Sequence, residues 1–225
     1  MAGDLNLYGD KRNTTVGNFG VDIAQQRADD LDTLALQRLA ASSSPTRALD
    51  VGSAGGGQAI RMADIGADVI ALDIDDYAGA FSAAAQARGL GDRCAFVRQD
   101  IARFDVAGNL GDFDVIVCQR MIHYVRFKTA IGIVENLMRA LKPDGRLYLS
   151  ASGLHSELGD GYAGADSHLD ERYTPLADAM VEAHAMHGPV CLYSVADLAR
   201  LLETAGMRIE QVFTSPFGNI KAVAR

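Results

Sequence analysis

Apolar positions recur at helical spacing from Val21 to Ala41, with Ile23, Leu31, Leu34 and Leu39 in phase. They predict one long helix, which Ser42-Ser43-Ser44-Pro45 ends. The period then changes. Short β-rich runs at Ala48–Val51, Val69–Leu72, Ala95–Val97, Val115–Val117 and Leu147–Leu149 predict buried strands. Helical stretches at Gln58–Ile65, Ala78–Arg88 and Thr129–Leu141 lie between them. Such alternation builds βαβ units, hence a parallel sheet with helices on both faces. Lys142-Pro143-Asp144-Gly145 reads as a turn just ahead of a strand. Near the end the rhythm breaks. A helix at Val195–Ala205 stops at Gly206, and two strand-like runs follow, Ile209–Phe213 and Ile220–Val223. Only Thr214 to Asn219, with Pro216 and Gly218, separates them, which predicts an antiparallel hairpin.

Composition narrows the class. A chain of 225 residues, 48% of them apolar, fits one domain with a full core. No apolar run approaches the roughly 18 residues of a membrane span, and Met1 to Arg12 lacks the apolar stretch of a secretory signal. Cys94, Cys118 and Cys191 are odd in number and widely spaced, which suits a reducing cytoplasm; they read as small buried hydrophobes. The net charge of −8, without a visible cluster of lysines and arginines, argues against a nucleic-acid partner.

The most informative local pattern is Ala48-Leu49-Asp50-Val51-Gly52-Ser53-Ala54-Gly55-Gly56-Gly57, a strand running into a glycine-rich turn and a helix. Glycine lets backbone approach a ligand, and a helix start offers N–H groups to a carboxylate or phosphate. Asp73 ends the second strand about 20 residues on, where an acid can accept both ribose hydroxyls. Asp100 follows the third strand. Ligands of open α/β sheets bind outside the carboxyl ends of the strands, so the three features converge on one crevice.

On these residues the sequence resembles the class I S-adenosylmethionine-dependent methyltransferase family. Asp50-Val51-Gly52-Ser53-Ala54-Gly55-Gly56 is similar to its first motif, with Ala54 at the middle glycine, a mild change because alanine adds one methyl. Phe113-Asp114-Val115-Ile116-Val117-Cys118-Gln119 resembles its fourth strand, and Lys142-Pro143-Asp144-Gly145-Arg146-Leu147 the turn before its fifth. The resemblance covers about Arg47 to Ser150 and Ser194 to Arg225. It implies a Rossmann-like fold: a seven-stranded, mostly parallel sheet with a C-terminal antiparallel hairpin, plus an N-terminal helix and a lid insertion. The boundaries it suggests are 1–46 for an N-terminal cap and 47–225 for the donor-binding domain. The implied cofactor is S-adenosyl-L-methionine, with Asp73 on its ribose, Asp100 on its adenine amine, and Ile74 and Ile101 beside those acids. Asp50, Gly52, Ser53, Ala54 and Gly56 would form the loop at its carboxylate, and Gln119 and Arg120 would meet its methionine portion.

Gly52, Ala54 and Gly57 also imitate a dinucleotide fingerprint, and Tyr124-Val125-Arg126-Phe127-Lys128 the Tyr-x-x-x-Lys pair of short-chain dehydrogenases. That pair follows the loop too closely, and Asp50, Asp100 and the hairpin stay unexplained, so nicotinamide binding is set aside.

Methyl transfer from a sulfonium is an in-line displacement that draws on alignment and exclusion of water. It needs no metal, and a base only for a protonated nucleophile. Candidate catalytic residues are His123, Tyr124, Tyr162 and Tyr173, with His168 as a further possible base. Tyr162, Tyr173 and Tyr193 are also candidates to line a substrate pocket. A small-molecule acceptor is expected at two additions. One is Leu5 to Ala41, whose Leu7-Tyr8-Gly9-Asp10 is placed to fold over the donor. The other is a lid from about Ala151 to Leu192. That lid holds Glu157, Asp160, Asp166, Asp170, Glu171, Asp178 and Glu182 against Arg172, with His155, His168, His184 and His187. It reads as a solvated helical lid, a pocket for a cationic or amine-bearing substrate, or a divalent metal site, although its acids and histidines lack ligand spacing. Intramolecular cleavage or cyclisation of the donor, and noncatalytic donor binding, are the competing functions. Neither the acceptor nor the oligomeric state is encoded in a recognisable pattern.

Overall fold

The computed structural model describes residues 14–17, 19–20 and 22–225. Seven strands form one sheet: β1 (Arg47–Val51), β2 (Asp68–Asp73), β3 (Cys94–Arg98), β4 (Phe113–Cys118), β5 (Leu141–Ala151), β6 (Ile209–Thr214) and β7 (Ile220–Ala224). Their order is β3-β2-β1-β4-β5-β7-β6. The first five are parallel, and β7 inserts antiparallel between β5 and β6. The alternating pattern therefore led to the right architecture, hairpin included.

Helices cover both faces because each has one apolar side. On one face α1 (Asp30–Ala40), α2 (Gly57–Asp64) and α3 (Ala78–Ala87) bury Leu31, Ile60, Met62 and Phe81 against Val69, Val115 and Val117. On the other, α4 (Val106–Leu110), α5 (Phe127–Arg139) and α7 (Val195–Thr204) bury Val106, Ile133, Leu137 and Leu201 against Leu49, Ile116 and Leu149. Each fully buried aliphatic side chain contributes about 1.5–3 kcal/mol before entropy is counted.

Three local expectations are corrected. The first helix starts at Asp30, well inside the predicted run from Val21. Asp29 caps it in a reciprocal box with Asp32, which breaks the helix there and leaves 22–28 as turns and irregular chain. Lys142–Gly145 lies within β5, as an irregularity where Phe113 pairs with Leu141 and Val115 with Arg146. The insertion is mostly irregular, with one short helix, α6 (Asp178–His184). It carries its own small core of Leu158, Tyr162, Leu176, Val190 and Leu192. Arg172 is buried in it and donates to Asp197, Leu192 and Ser167, pinning it to the start of α7. Leu7-Tyr8-Gly9-Asp10 lies outside the described residues. No helix among the described residues is long and apolar enough to cross a membrane.

Candidate functional site

A cavity of about 780 Å³ opens at the carboxyl edge of the sheet. Its wall includes Asp50, Gly52, Ser53 and Ala54 after β1, Asp73 and Ile74 after β2, Asp100 and Ile101 after β3, and Gln119 and Arg120 after β4. The chain reverses sharply at each strand end, which is what gathers these positions. Gly52 and Gly56 have φ of +68° and +78°, and a Cβ on Gly56 would meet the Phe81 ring at 2.2 Å. Ala54 also sits in the left-handed region, at φ +44°. Replacement of the family's middle glycine is therefore less mild than one methyl suggests, since the backbone itself is strained.

The loop N–H groups are already in use. Gly52 and Ser53 donate to Leu72 O, Gly56 to Ser53 O, Ala54 to Asp73 Oδ2 at 2.8 Å and Gly55 to Asp22 Oδ2 at 3.0 Å. Ser53 Oγ, by contrast, is buried in the wall without a hydrogen-bond partner among the described residues. Asp100 accepts from Ala102 N–H and stands 3.6 Å from Arg103.

Buried carboxylates crowd the floor. Asp50 accepts from Ala59 N–H at 3.0 Å, and burial, reinforced by Asp32 and Asp22, pushes its pKa up to about 8. Burial also raises Asp22, Asp32 and Asp73. Burial alone would raise Asp29 as well, but Lys221 beside it draws it below the usual carboxylate range. Gln119 Nε2 donates to both Asp29 (3.0 Å) and Asp32 (2.5 Å), and its carbonyl accepts from Ser150 Oγ at 3.1 Å. Arg120, at φ +49°, lines the cavity with a guanidinium that has no hydrogen-bond partner among the described residues.

The candidate bases separate. Tyr124 lines the cavity and donates its hydroxyl to Phe19 O; burial raises its pKa. His123 is fully buried, away from the cavity wall, with Nδ1 facing Ser152 N–H at 3.4 Å. Burial lowers its pKa to about 3, so it is neutral. Tyr173 reaches the backbone instead, donating to Tyr124 O at 2.9 Å. Tyr162 donates to Val190 O at 2.6 Å inside the insertion, and Tyr193 is core. His168 is exposed beside Asp170. Of the tyrosines expected around the substrate, none of Tyr162, Tyr173 and Tyr193 lines the cavity, because each is consumed in packing the insertion and the loop after β4.

The insertion's acids are outside the cavity wall too; it contributes Met186 alone. Among the described residues no group of three or more histidines, cysteines or acids is placed to hold a metal. The cavity acids not expected from the sequence are Asp22, Asp29, Asp30 and Asp32, hidden inside what reads as a continuous helix, and Asp75, two residues past β2. The hairpin loop adds Ser215, Pro216, Phe217 and Asn219, and β7 adds Lys221.

Residues 23–212 match the model of a methyltransferase domain. The chain belongs to the class I S-adenosylmethionine-dependent methyltransferase family. It is 35% identical over 105 residues to the ubiquinone biosynthesis O-methyltransferase of Xanthomonas oryzae pv. oryzae, a match covering 46% of this chain. That match spans only 42% of the relative's length. Among solved structures, the Burkholderia thailandensis 1,6-didemethyltoxoflavin-N1-methyltransferase, with bound 1,6-didemethyltoxoflavin and S-adenosylhomocysteine, superposes with a TM-score of 0.65. It is 18% identical and covers 90% of this chain and 78% of its own. The magnesium protoporphyrin IX methyltransferase of Synechocystis PCC 6803, with bound SAM, gives 0.59 at 19% identity, covering 89% of this chain and 78% of its own. At such identities the likeness is one of fold.

Proposed function

We propose that this methyltransferase transfers the methyl group of S-adenosylmethionine to a small-molecule acceptor held in the same cavity. The observation that carries the reading is the convergence of Asp50, Asp73 and Asp100, from three successive strand ends, on one cavity whose buried Ser53 hydroxyl lacks a partner among the described residues. A nucleoside joined to an amino acid fits this set. Asp73 and Asp100 keep acceptor capacity for ribose hydroxyls and an adenine amine, and Ile74, 50% exposed, offers a flat apolar face. Ile101 backs it. Ser53 Oγ gains a partner. The N–H groups of Gly52 to Gly56 are occupied, so the guanidinium of Arg120, without a hydrogen-bond partner among the described residues, takes the donor's carboxylate. Gln119 borders the methionine portion, and the Asp32 and Asp22 carboxylates, with the buried Asp50 carboxyl as a further acceptor, suit its ammonium.

The donor supplies an electrophilic methyl on a sulfonium. The protein's part is to align and to dry the site: Phe19, Met121, Tyr124 and Met186 form an apolar wall, and the backbone bridges Phe19 to Met186 across the N-terminal segment and the insertion. His123, neutral and outside the cavity, is not the base. Incubation with S-adenosylmethionine, with and without a small-metabolite extract, tests the reading by mass spectrometry. S-adenosylhomocysteine formed only with extract supports it. Methylthioadenosine formed without extract rejects it in favour of chemistry on the donor alone.

A further inference from the structure

Strand β7 is buried along its whole length, and one of its five residues is a lysine. Lys221 is 2% exposed, and taking an ammonium out of water costs several kcal/mol unless it is paired. Its Nζ donates to Asp29 Oδ2 at 2.5 Å and to Asp30 Oδ1. An ammonium has three donors. The third has no partner among the described residues, and Lys221 lines the cavity. Asp30 is likewise half used. Its Oδ1 takes Lys221 and Leu31 N–H, while Oδ2 accepts nothing among the described residues and the side chain is 43% exposed. A donor and an acceptor thus stand side by side on one ion pair. The ammonium is one carboxylate away from Gln119, because Asp29 holds both. Asn219, Ser215 and Phe217 line the same cavity.

We propose that Lys221 and Asp30 form a clamp for a hydroxyl group of the acceptor, which makes the acceptor an alcohol or phenol. This rests on the methyl-transfer reading above. The hydroxyl oxygen accepts the third N–H of Lys221, and its hydrogen points to Asp30 Oδ2. A carboxylate is a weak base toward a free hydroxyl, whose proton is held far more tightly. Transfer therefore comes late: as an oxygen lone pair bonds to the methyl carbon, the carbon–sulfur bond breaks with its pair left on sulfur, and the hydroxyl proton becomes acidic. The O–H bond then breaks, the proton ends on Asp30 Oδ2, and the bonding pair stays on the oxygen. A neutral hydroxyl suits a cavity so rich in carboxylates better than a preformed oxyanion. An amine offers nitrogen in place of oxygen: an alkylamine, once protonated, has no lone pair left for the Lys221 N–H, and a neutral arylamine has its lone pair drawn into the ring and is a poor acceptor.

The test is calorimetric titration of the protein saturated with S-adenosylhomocysteine, using catechol as the hydroxyl probe and 1,2-diaminobenzene as its amine counterpart. Catechol is expected to bind at least about tenfold more tightly than the diamine, the factor of one lost charge-assisted hydrogen bond. Asp30→Asn and Lys221→Met should each weaken catechol by about tenfold or more while S-adenosylhomocysteine affinity stays within about twofold, and Lys221→Arg should restore most of the loss. Asp30→Asn keeps the Lys221–Asp29 pair, so it carries the test if Lys221→Met does not fold. Unchanged catechol binding in Asp30→Asn, no catechol binding by the wild-type protein, or preference for the diamine overturns the clamp. A parallel loss of S-adenosylhomocysteine affinity assigns the pair to the donor and also overturns it. Failure of the wild-type protein to bind S-adenosylhomocysteine at all would instead remove the methyl-transfer reading.

Discussion

Ala54 donates its backbone N–H to the Asp73 carboxylate at 2.8 Å while holding a φ of +44°. The hydrogen bond that fixes the strand-end acid is thus made by a strained residue. Ala54→Gly should relieve about 1–2 kcal/mol of left-handed strain and return about 0.4–1 kcal/mol in chain entropy. A net gain near 0.5 kcal/mol is expected in urea unfolding. Gly56→Ala is the contrary case. Its φ of +78° and the Phe81 ring 2.2 Å from the new Cβ should cost about 3 kcal/mol or more.

Asp50 makes stability depend on pH. Its carboxyl is pushed up to about 8 in the native state, against about 3.9 in the unfolded chain. Between those values the folded protein holds a proton that the unfolded chain has lost. Its contribution is complete below the unfolded value and disappears as pH rises through about 8. Asp50→Asn should melt higher than the wild-type protein at about pH 8.5 and close to it at about pH 4. Parallel melting curves across that range would show that Asp50 ionises freely in the folded state.

His123 works in the opposite sense. Burial drops it to about 3, so the neutral ring contributes stability above the unfolded value near 6.5, lost as pH falls toward 3. His123→Ala should cost about 2 kcal/mol or more from the cavity it leaves, and should flatten acid unfolding between pH 6.5 and 3. Turnover per folded molecule should persist. A complete loss of turnover in protein that still melts cooperatively would put the ring back into the chemistry.

Arg172 anchors the insertion. Arg172→Met leaves Asp197 without its arginine partner, and Leu192 O and Ser167 O without their donor. A loss of about 3 kcal/mol is expected. Limited proteolysis should cut within 154–190 before the sheet domain opens; equal resistance in variant and wild type would show that the small core of the insertion suffices.

The sequence carried the sheet because its strands are buried on both faces and bounded by short turns. The strand-end acids were legible for the same reason: Asp50 lies within the first apolar run, Asp73 directly after the second and Asp100 three residues past the third. The acceptor side was not. Asp22, Asp29, Asp30 and Asp32 fall within a helical period that extends to Val21, and only the capping box of Asp29 and Asp32 marks where the helix begins. That Asp-x-x-Asp spacing was a usable signal. The hydroxyls of Tyr162 and Tyr173 gave no local sign of where they point, since their partners, Val190 O and Tyr124 O, lie 28 and 49 residues away. The deep burial of His123 likewise depends on the packing of β5 and the insertion around it.

Lys221 and Asp29 meet across 192 positions of chain. Contacts of that span carry the largest closure entropy and form late in folding. During synthesis the α1 cap must therefore wait, its carboxylates solvated, until the β6–β7 hairpin leaves the ribosome. The wall that joins Asp29 and Asp30 to Lys221 is then among the last parts of the molecule to be assembled, so a nascent chain with most of its sheet already paired still has no finished place for an acceptor.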